Sequence, residues 1–376
     1  MTTGDTMPTL DDISRVQSID SRNVLRLINE IPEHCETALA IGRSFRVDPL
    51  AIKPNVVLFV GVGESGFAAD LAAEILSDDA EVAVQSQHVA SMPACVGEHS
   101  IVFVIDYTGN TRTAVRAYKA ARERGARTIC VTTGGLLRET AEDQSSVLSI
   151  PAGQPARFAV GYMVLAPVAA VQRMGLTMNS DPRSSAAVRL LKNAREFLRF
   201  EIPAARNEAK KLAELLHGNM PVILGASDYR RLVARRWVSQ LGSNAKHPAV
   251  AASLNDLVDG EICAWEQVDS EACKPAFVFL VDELDWTTES QTIRQAAAEV
   301  LSHFTVAEAE MKGANPIERL FYGMFLGDYV SYYLALLREV DPYRTATASL
   351  ISQRLAPSGT SSTIAAADTL SQNQES

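Results

Sequence analysis

Residues 99–125, HSIVFVIDYTGNTRTAVRAYKAARERG, decide the fold of this chain. The continuous apolar run at 101–105 is typical of a strand that is buried on both faces. A short polar loop follows, and residues 110–125 then have the pattern of a helix that Gly125 ends. A buried strand that passes through a loop into a helix is the unit from which parallel α/β sheets are built.

The same unit recurs along the chain in two blocks. This alternation predicts an α/β protein with two tandem domains, each a doubly wound, mainly parallel sheet flanked by helices. The predicted strands are 55–63, 80–86, 99–109, 126–135 and 146–153 in the first block, and 220–226, 275–283 and 305–311 in the second. The predicted helices include 64–77, 110–125, 162–176, 228–245, 290–304 and 316–341.

The sequence also predicts where each domain begins and ends. A polar, partly helical segment precedes the first domain, and a charged helical connector separates the two domains. The last residues contain few large apolar side chains, so we expect them to be disordered. The predicted divisions are 1–46 for the N-terminal helical segment, 47–176 for the first domain, 177–217 for the connector, 218–355 for the second domain and 356–376 for the tail.

The composition limits the classes of function. The chain has 376 residues, 47% of them apolar and 21% charged, which is typical of a globular protein too long for a single core. Its net charge of −10 argues against nucleic acid as a partner. No continuous apolar run is long enough to span a membrane and no secretory signal is evident, so we expect a cytoplasmic protein without a membrane partner. The five cysteines lack the spacing of metal ligands, so we expect free thiols and neither a metal nor a cofactor.

Two loops follow strands at the edge where α/β sheets bind ligands. They are GVGESG at 61–66 and DYTGNT at 106–111, and each opens a predicted helix. A helix N-terminus carries unpaired N–H groups and a partial positive charge, so two of them side by side would hold a phosphate. Glycine-rich turns also occur because they allow close packing, and the loops alone leave both interpretations open.

Several segments resemble, in order, those of one known family. GVGESGFAAD (61–70) is similar to the G-x-G-x-S turn of sugar isomerase (SIS) domains, and DYTGNT resembles their S-x-S-G-x-T loop. PAGQPARFAVGYMVLAPV (151–168) resembles a segment with a Pro-Arg pair in the bifunctional phosphoglucose/phosphomannose isomerases. Three later segments are similar to the same family: ARRWVSQLGSNAK (234–246), DGEICAWE (259–266) and LGDYVSYYLALLREVDP (326–342).

The resemblance implies two SIS domains in one subunit, a homodimer, and a sugar phosphate or related small anion as the ligand. The family interconverts aldose and ketose phosphates without a metal. The resemblance makes Arg157 the candidate for stabilising the enediolate intermediate, and a salt bridge at the domain edge is its alternative role. The phosphate- and sugar-binding residues that it implies are Gly63, Ser65, Thr108, Gly109, Asn110 and Thr111.

Two positions of the implied phosphate site are acidic here. Glu64 stands where the family turn has glycine, and Asp106 stands where the loop has its first serine. A carboxylate about 4 Å from a phosphate charge costs roughly 4 kcal/mol at an effective dielectric of about 20, or about a thousandfold in affinity. Arg112 is a candidate to compensate. Asp106 itself has three candidate roles: an internal anion in the place of the phosphate, a cap for its own turn, or part of a rebuilt ligand site.

The groups that move protons are also replaced. Ser243 occupies the position of the family's glutamate base, and Asp259 occupies that of the histidine that opens the sugar ring. The family places a lysine in its last helix, whereas residues 345–355 contain none. Glu261 is retained, and it is either a replacement base or the partner of a nearby cation.

Other polar features have structural interpretations. His247 is either a substitute for the lost histidine or, as we expect, an exposed histidine in a turn. The run RRLVARR at 230–236 predicts a solvated helix face.

Three functions therefore stay open. The first is an active aldose–ketose isomerase with a rearranged acid–base set. The second is a non-catalytic regulator that binds a sugar phosphate, and the third is a structural dimer without a ligand. Family resemblance favours an isomerase, whereas the substituted residues favour the non-catalytic binding protein.

Overall fold

The computed structural model describes residues 10–12, 16, 18–46, 50, 52–141, 146–226, 229–268, 273–282 and 288–355. It contains two sheets, and every strand pair in them is parallel among these residues. Apolar side chains pack on both faces of each sheet. The predicted α/β class with two parallel sheets is therefore confirmed. The tail predicted at 356–376 lies outside the described residues.

Two of the helices that precede the first sheet meet at Glu30, and Pro32 lies in the first turn of the second one, where proline is well tolerated. They are α1 (Val24–Asn29) and α2 (Ile31–Ser44). The first sheet has the strand order β2-β1-β3-β4-β5. Its strands are β1 (Val56–Val60), β2 (Ala83–Gln87), β3 (Ser100–Ile105), β4 (Arg127–Thr132) and β5 (Val147–Ser149). Its helices are α3 (Glu64–Ser77), α4 (Arg112–Glu123), α5 (Gly135–Thr140) and α6 (Val160–Arg173).

The connector contains two helices, α7 (Ser180–Leu198) and α8 (Glu208–Leu216). Asn207 begins α8, because its side chain accepts hydrogen bonds from the N–H groups of Ala209 and Lys210. The sequence pattern predicts continuous helix from 186 to 217, whereas the structure has two helices. The second one begins at Glu208 because Asn207 caps it.

The second sheet has the order β7-β6-β8-β9. The sequence did not predict β7, because VAAS has mostly small side chains and two of the four residues of this edge strand are exposed. The strands are β6 (Met220–Gly225), β7 (Val250–Ser253), β8 (Pro275–Val281) and β9 (Thr305–Glu310). The helices of this half are α9 (Tyr229–Ala245), α10 (Leu254–Asp259), α11 (Thr288–Val300), α12 (Pro316–Leu337) and α13 (Ala346–Leu355).

Helix α12 is the centre of the core between the two halves. It packs against α7, α8 and α9, and the rings of Tyr329, Tyr332 and Tyr333 are fully buried in it. By length and hydropathy alone α12 is apolar enough to cross a membrane, but the whole of its apolar window is buried inside the protein. Its hydropathy is therefore that of a core helix.

Candidate functional site

The loops after β1 and β3 meet at one edge of the first sheet. These strands are neighbours, and the chain leaves them toward opposite sides, β1 toward β2 and β3 toward β4. Such a switch point leaves a crevice beyond the carboxyl ends of the strands. We call the site formed by residues 61–66 and 106–111 the first cleft. The N–H of Tyr107 donates to Oγ of Ser65 at 3.2 Å, which fixes the two loops together.

Two glycines shape the turn between β1 and α3. A Cβ atom on Gly61 would lie 2.3 Å from the carbonyl oxygen of Ser65, so only glycine allows this close approach. Gly63 has a φ of 61° and caps α3, and no heavy atom lies within 4 Å of the position its Cβ would take. Gly63 is therefore placed where a ligand can approach the backbone.

The predicted phosphate-binding residues differ in how far they are exposed to solvent. Ser65 is buried, and its hydroxyl also lies 3.5 Å from Sδ of Met163. Gly109 is buried too, because its left-handed backbone packs against the carbonyl of Gly134. The side chains at the mouth of the first cleft are those of Thr108, Asn110 and Thr111, all exposed.

Asp106 caps the loop to which it belongs. Its Oδ2 accepts a hydrogen bond from the N–H of Thr111 at 2.7 Å, and Thr108 Oγ1 lies 3.4 Å from Oδ1. The side chain is only 5% exposed, and this burial raises the pKa of Asp106 even though the hydrogen bonds act in the opposite direction. The contacts are those of the turn cap, and they bring the carboxylate to the N-terminus of α4, where a phosphate would otherwise bind.

The other acid of the first cleft pairs with the second half of the protein. Oε2 of Glu64 lies 3.1 Å from Nη1 of Arg236, and Ser239 donates to Oε1 at 3.2 Å. Both partners lie on α9. The cation that compensates Glu64 is therefore Arg236, whereas Arg112, which the sequence offered for this role, is exposed at the start of α4.

Besides Glu64, the guanidinium of Arg236 contacts an acid on α12 and a backbone carbonyl of the first domain. Its Nη2 lies 3.0 Å from Oδ1 of Asp328 on α12 and donates to the carbonyl of Arg157 at 2.6 Å. The side chains of Arg236 and Asp328 are 2% and 4% exposed. The solvated face predicted for 230–236 is therefore wrong at Arg236 and also at Arg230, which is buried, because α9 packs between α3 and α12.

Arg157 lies between the two halves and hydrogen-bonds to groups on both sides of α12 in sequence. Nε donates to Oδ1 of Asn244 at 3.2 Å, and Nη2 donates to the carbonyl oxygens of Pro342 and Tyr343 at 3.2 and 2.8 Å. Burial lowers the pKa of Arg157 to about 10. Through Nε and Nη2, Arg157 joins α9 to the chain that follows α12, and among the described residues it forms no salt bridge.

The remaining predicted site residues are Ser243, Asp259 and Glu261, and none of them is a hydrogen-bond partner described for Arg157. Ser243 is half-buried near the end of α9, and Lys246 donates to its carbonyl at 2.9 Å. Asp259 and Glu261 are exposed at and after the end of α10. The hydrogen bonds of Arg157 go to other residues, so the structure of this chain does not join these acids to it.

His247 is not exposed, contrary to the sequence prediction. It is only 7% exposed, and its Nδ1 lies 2.7 Å from the carbonyl oxygen of Pro248. Burial lowers the pKa of His247. Its Nδ1 therefore pairs with the backbone of its own turn.

Comparisons with known proteins agree with this architecture. The SIS domain family matches residues 52–174, and the family described as the bacterial phospho-glucose isomerase C-terminal SIS domain matches residues 205–355. Each sheet therefore lies within one SIS domain.

Relatives of the whole chain carry one name. The bifunctional phosphoglucose/phosphomannose isomerase of Caldicellulosiruptor bescii is 29% identical over 338 residues, which cover 88% of this chain and 98% of that protein. The protein of the same name from Aquifex aeolicus is 25% identical, over 80% of this chain and 90% of its own.

Solved structures show the same fold at lower identity. A glucose-6-phosphate isomerase like protein from Thermus thermophilus has a TM-score of 0.60 and 19% identity, over 92% of this chain and 99% of that one. Tagatose-6-phosphate ketose/aldose isomerase from Escherichia coli has a TM-score of 0.63 and 14% identity, over 83% and 91%. The two family matches and the two relatives of that name identify the chain as a divergent member of the SIS-domain family of bifunctional phosphoglucose/phosphomannose isomerases.

Proposed function

We propose that this protein binds a carbohydrate phosphate in its first cleft and does not isomerise it. The observation that carries the proposal is the engagement of Arg157 by Asn244, Pro342 and Tyr343. An enediolate needs a cation with donors directed at the developing charge. Here Nε and Nη2 of the guanidinium are directed instead at amide and carbonyl oxygens of the protein.

The acid–base groups support the same proposal. Ser243 stands at the position that resembles the family's base, and a serine hydroxyl needs a partner to remove a proton from carbon. Asp259 and Glu261 are exposed and lie on the second domain.

Several features still favour binding of a phosphate. Thr108, Asn110 and Thr111 present exposed polar side chains, and Gly63 leaves open space beside the turn. The first N–H groups of α4 lack intrahelical partners, as in any helix. Arg236 offsets the charge of Glu64, so Asp106 is the main source of repulsion in the first cleft. We therefore expect weaker binding than a site with serine at this position would give.

Calorimetry with the full chain tests this proposal. Fructose 6-phosphate, glucose 6-phosphate and mannose 6-phosphate would be titrated into the wild type and into Asp106→Ser. Removing the carboxylate should tighten binding by about tenfold or more. Asp78→Ser is the matched control, because Asp78 is an exposed acid at the opposite end of α3, and it should leave the affinity unchanged.

The outcomes separate the three candidate functions. Heat of binding with no turnover in a coupled assay supports the non-catalytic binding protein. Steady turnover would establish an active isomerase with a rearranged acid–base set. Absence of binding in both the wild type and Asp106→Ser would leave the structural dimer.

The assembly and the compartment are parts of the same proposal. A homodimer is expected from the family resemblance, and a cytoplasmic location fits its small phosphorylated ligand. Light scattering of the purified chain would give the mass in solution, and a monomer would contradict the dimer.

A further inference from the structure

The second sheet has its own switch point, between β6 and β8. In the order β7-β6-β8-β9 these strands are neighbours, and the chain leaves β6 toward β7 and β8 toward β9. This is the relation that β1 and β3 have in the first sheet. A crevice opens beyond the carboxyl ends of β6 and β8, lined by residues 224–226 and 279–282 and by parts of α10 and α11. We call it the second cleft.

The two clefts are built on the same local frame. A Cβ on Gly225 would lie 2.5 Å from the carbonyl oxygen of Arg230, just as one on Gly61 would lie 2.3 Å from that of Ser65. An acid directly follows the second strand of each cleft. Asp106 follows β3, in the sequence VFVID, and Asp282 follows β8, in the sequence VFLVD. The second domain therefore repeats the strand-to-helix turn and the terminal acid of the first.

The two acids differ in what surrounds them. Oδ2 of Asp282 lies 2.7 Å from Nε of Arg319, and the hydroxyl of Tyr229 donates to it at 2.5 Å. The Asp282 and Arg319 side chains are 5% and 8% exposed, so the ion pair is buried. Asp106, in contrast, accepts hydrogen bonds from neutral groups. The second cleft therefore has an acid that a cation neutralises, and the first cleft has one that repels anions.

The walls of the second cleft carry groups that recognise anions and hydroxyls. Arg230 and Arg294 line it, with amides from Asn255 and Gln291. The Arg294 side chain is 23% exposed, and its contact with the exposed Glu308 is 3.5 Å long, so its donors are held loosely.

We propose that the second cleft is a binding site for a phosphorylated sugar, separate from the first cleft. The planar, permanently charged guanidinium of Arg294 suits a phosphate, and the two amides suit sugar hydroxyls. This site would give the chain two ligand positions per subunit, one in each SIS domain. It goes beyond the function proposed for the first cleft and does not depend on it.

Calorimetry with fructose 6-phosphate, and with fructose as the neutral control, tests the second cleft in the full chain. If both clefts bind fructose 6-phosphate, the titration has two binding phases, one for each cleft. Arg294→Gln removes a charged donor and should weaken the affinity of the second-cleft phase by about tenfold or more. Lys211→Gln removes the same charge from an exposed position on α8 and should have no effect. Asn255→Phe fills the cleft with an uncharged side chain and should also abolish this phase, and thermal melts without ligand would show that each variant is folded.

The pattern across variants distinguishes the two sites. A phase that responds to Arg294→Gln and Asn255→Phe but not to Asp106→Ser supports the second cleft. If both second-cleft variants bind fructose 6-phosphate as the wild type does, the second cleft is not a sugar phosphate site, whatever the first cleft binds. If Asp106→Ser changes nothing while Arg294→Gln abolishes binding, the first-cleft proposal fails and this one stands.

Discussion

Nη2 of Arg236 lies 3.0 Å from Oδ1 of Asp328, and the two side chains are almost completely buried. Nη1 of the same guanidinium reaches Glu64 in the glycine-rich turn of the first domain. The acid that replaces glycine in that turn is therefore tied to α9 and α12 of the second half. Glu64 is therefore part of the contact between the two domains.

The first prediction concerns this buried cation. Arg236→Ala should lower the free energy of unfolding by about 3–5 kcal/mol, because Asp328 would be left buried without its partner. Arg231→Ala is the control, since Arg231 is an exposed arginine on the same helix, and it should change stability by less than about 0.5 kcal/mol. Urea unfolding measures both, and equal effects would contradict the structural role of Arg236.

The second prediction is a pH dependence of stability. Burial raises the pKa of Asp328 to about 6, above its ordinary value of 3.8, although Arg236 acts in the opposite direction. The folded protein then holds more protons than the unfolded chain between these values. The free energy of unfolding should therefore fall as pH rises from about 4 to about 6, by at most about 3 kcal/mol, and should not fall further above that.

Asp328→Asn provides the comparison for this pH effect. Asparagine is nearly isosteric and cannot ionise, so the variant should lose the part of the pH dependence that lies between those two values. Urea unfolding at several pH values would reveal it. Identical pH profiles for the wild type and Asp328→Asn would show that Asp328 does not titrate in this range.

The third prediction separates the cap from the charge at Asp106. Asp106→Asn keeps an oxygen that can accept from the N–H of Thr111, whereas Asp106→Ala leaves that N–H without its acceptor. We expect Ala to be less stable than Asn by about 1 kcal/mol, the usual contribution of such a cap. Thermal unfolding of the two variants measures the difference, and equal stabilities would mean that the hydrogen bond contributes little.

The fourth prediction concerns Arg157. Arg157→Ala should destabilise the protein by about 1–3 kcal/mol, because the buried carbonyls of Pro342 and Tyr343 lose their donor. Its affinity for sugar phosphates, measured by calorimetry on the folded variant, should stay within about twofold of the wild type. A large loss of affinity together with normal stability would instead place Arg157 in the ligand site.

The sequence was sufficient to predict most of the fold. Apolar runs such as 99–109 and 275–283 are strong strand signals, and β3 and β8 lie within them. The edge strand β7 gave no such signal, because an exposed strand of small residues has neither an apolar run nor alternation. Its pairing with β6 depends on tertiary context that the local pattern does not carry.

The two loops around Gly63 and Asp106 were predicted from sequence, because strand-to-helix turns have a local sequence signature, and the structure places these loops side by side. Arg236 was missed, since it lies 172 residues from Glu64 in sequence and within a run of arginines typical of a solvated face. The acid at Glu64 was the one indication in the sequence, because a carboxylate in this turn predicts that a cationic side chain lies nearby.

The most direct test of the central claim is proton exchange at C2 of glucose 6-phosphate. The sugar would be incubated in D₂O with stoichiometric amounts of the purified full chain, and deuterium at C2 would be followed by proton NMR. Isomerisation through an enediolate requires removal of this proton, so we predict no exchange above a protein-free control. Deuterium incorporation or fructose 6-phosphate formation over many turnovers would show that the chain still moves the proton, and would contradict the account.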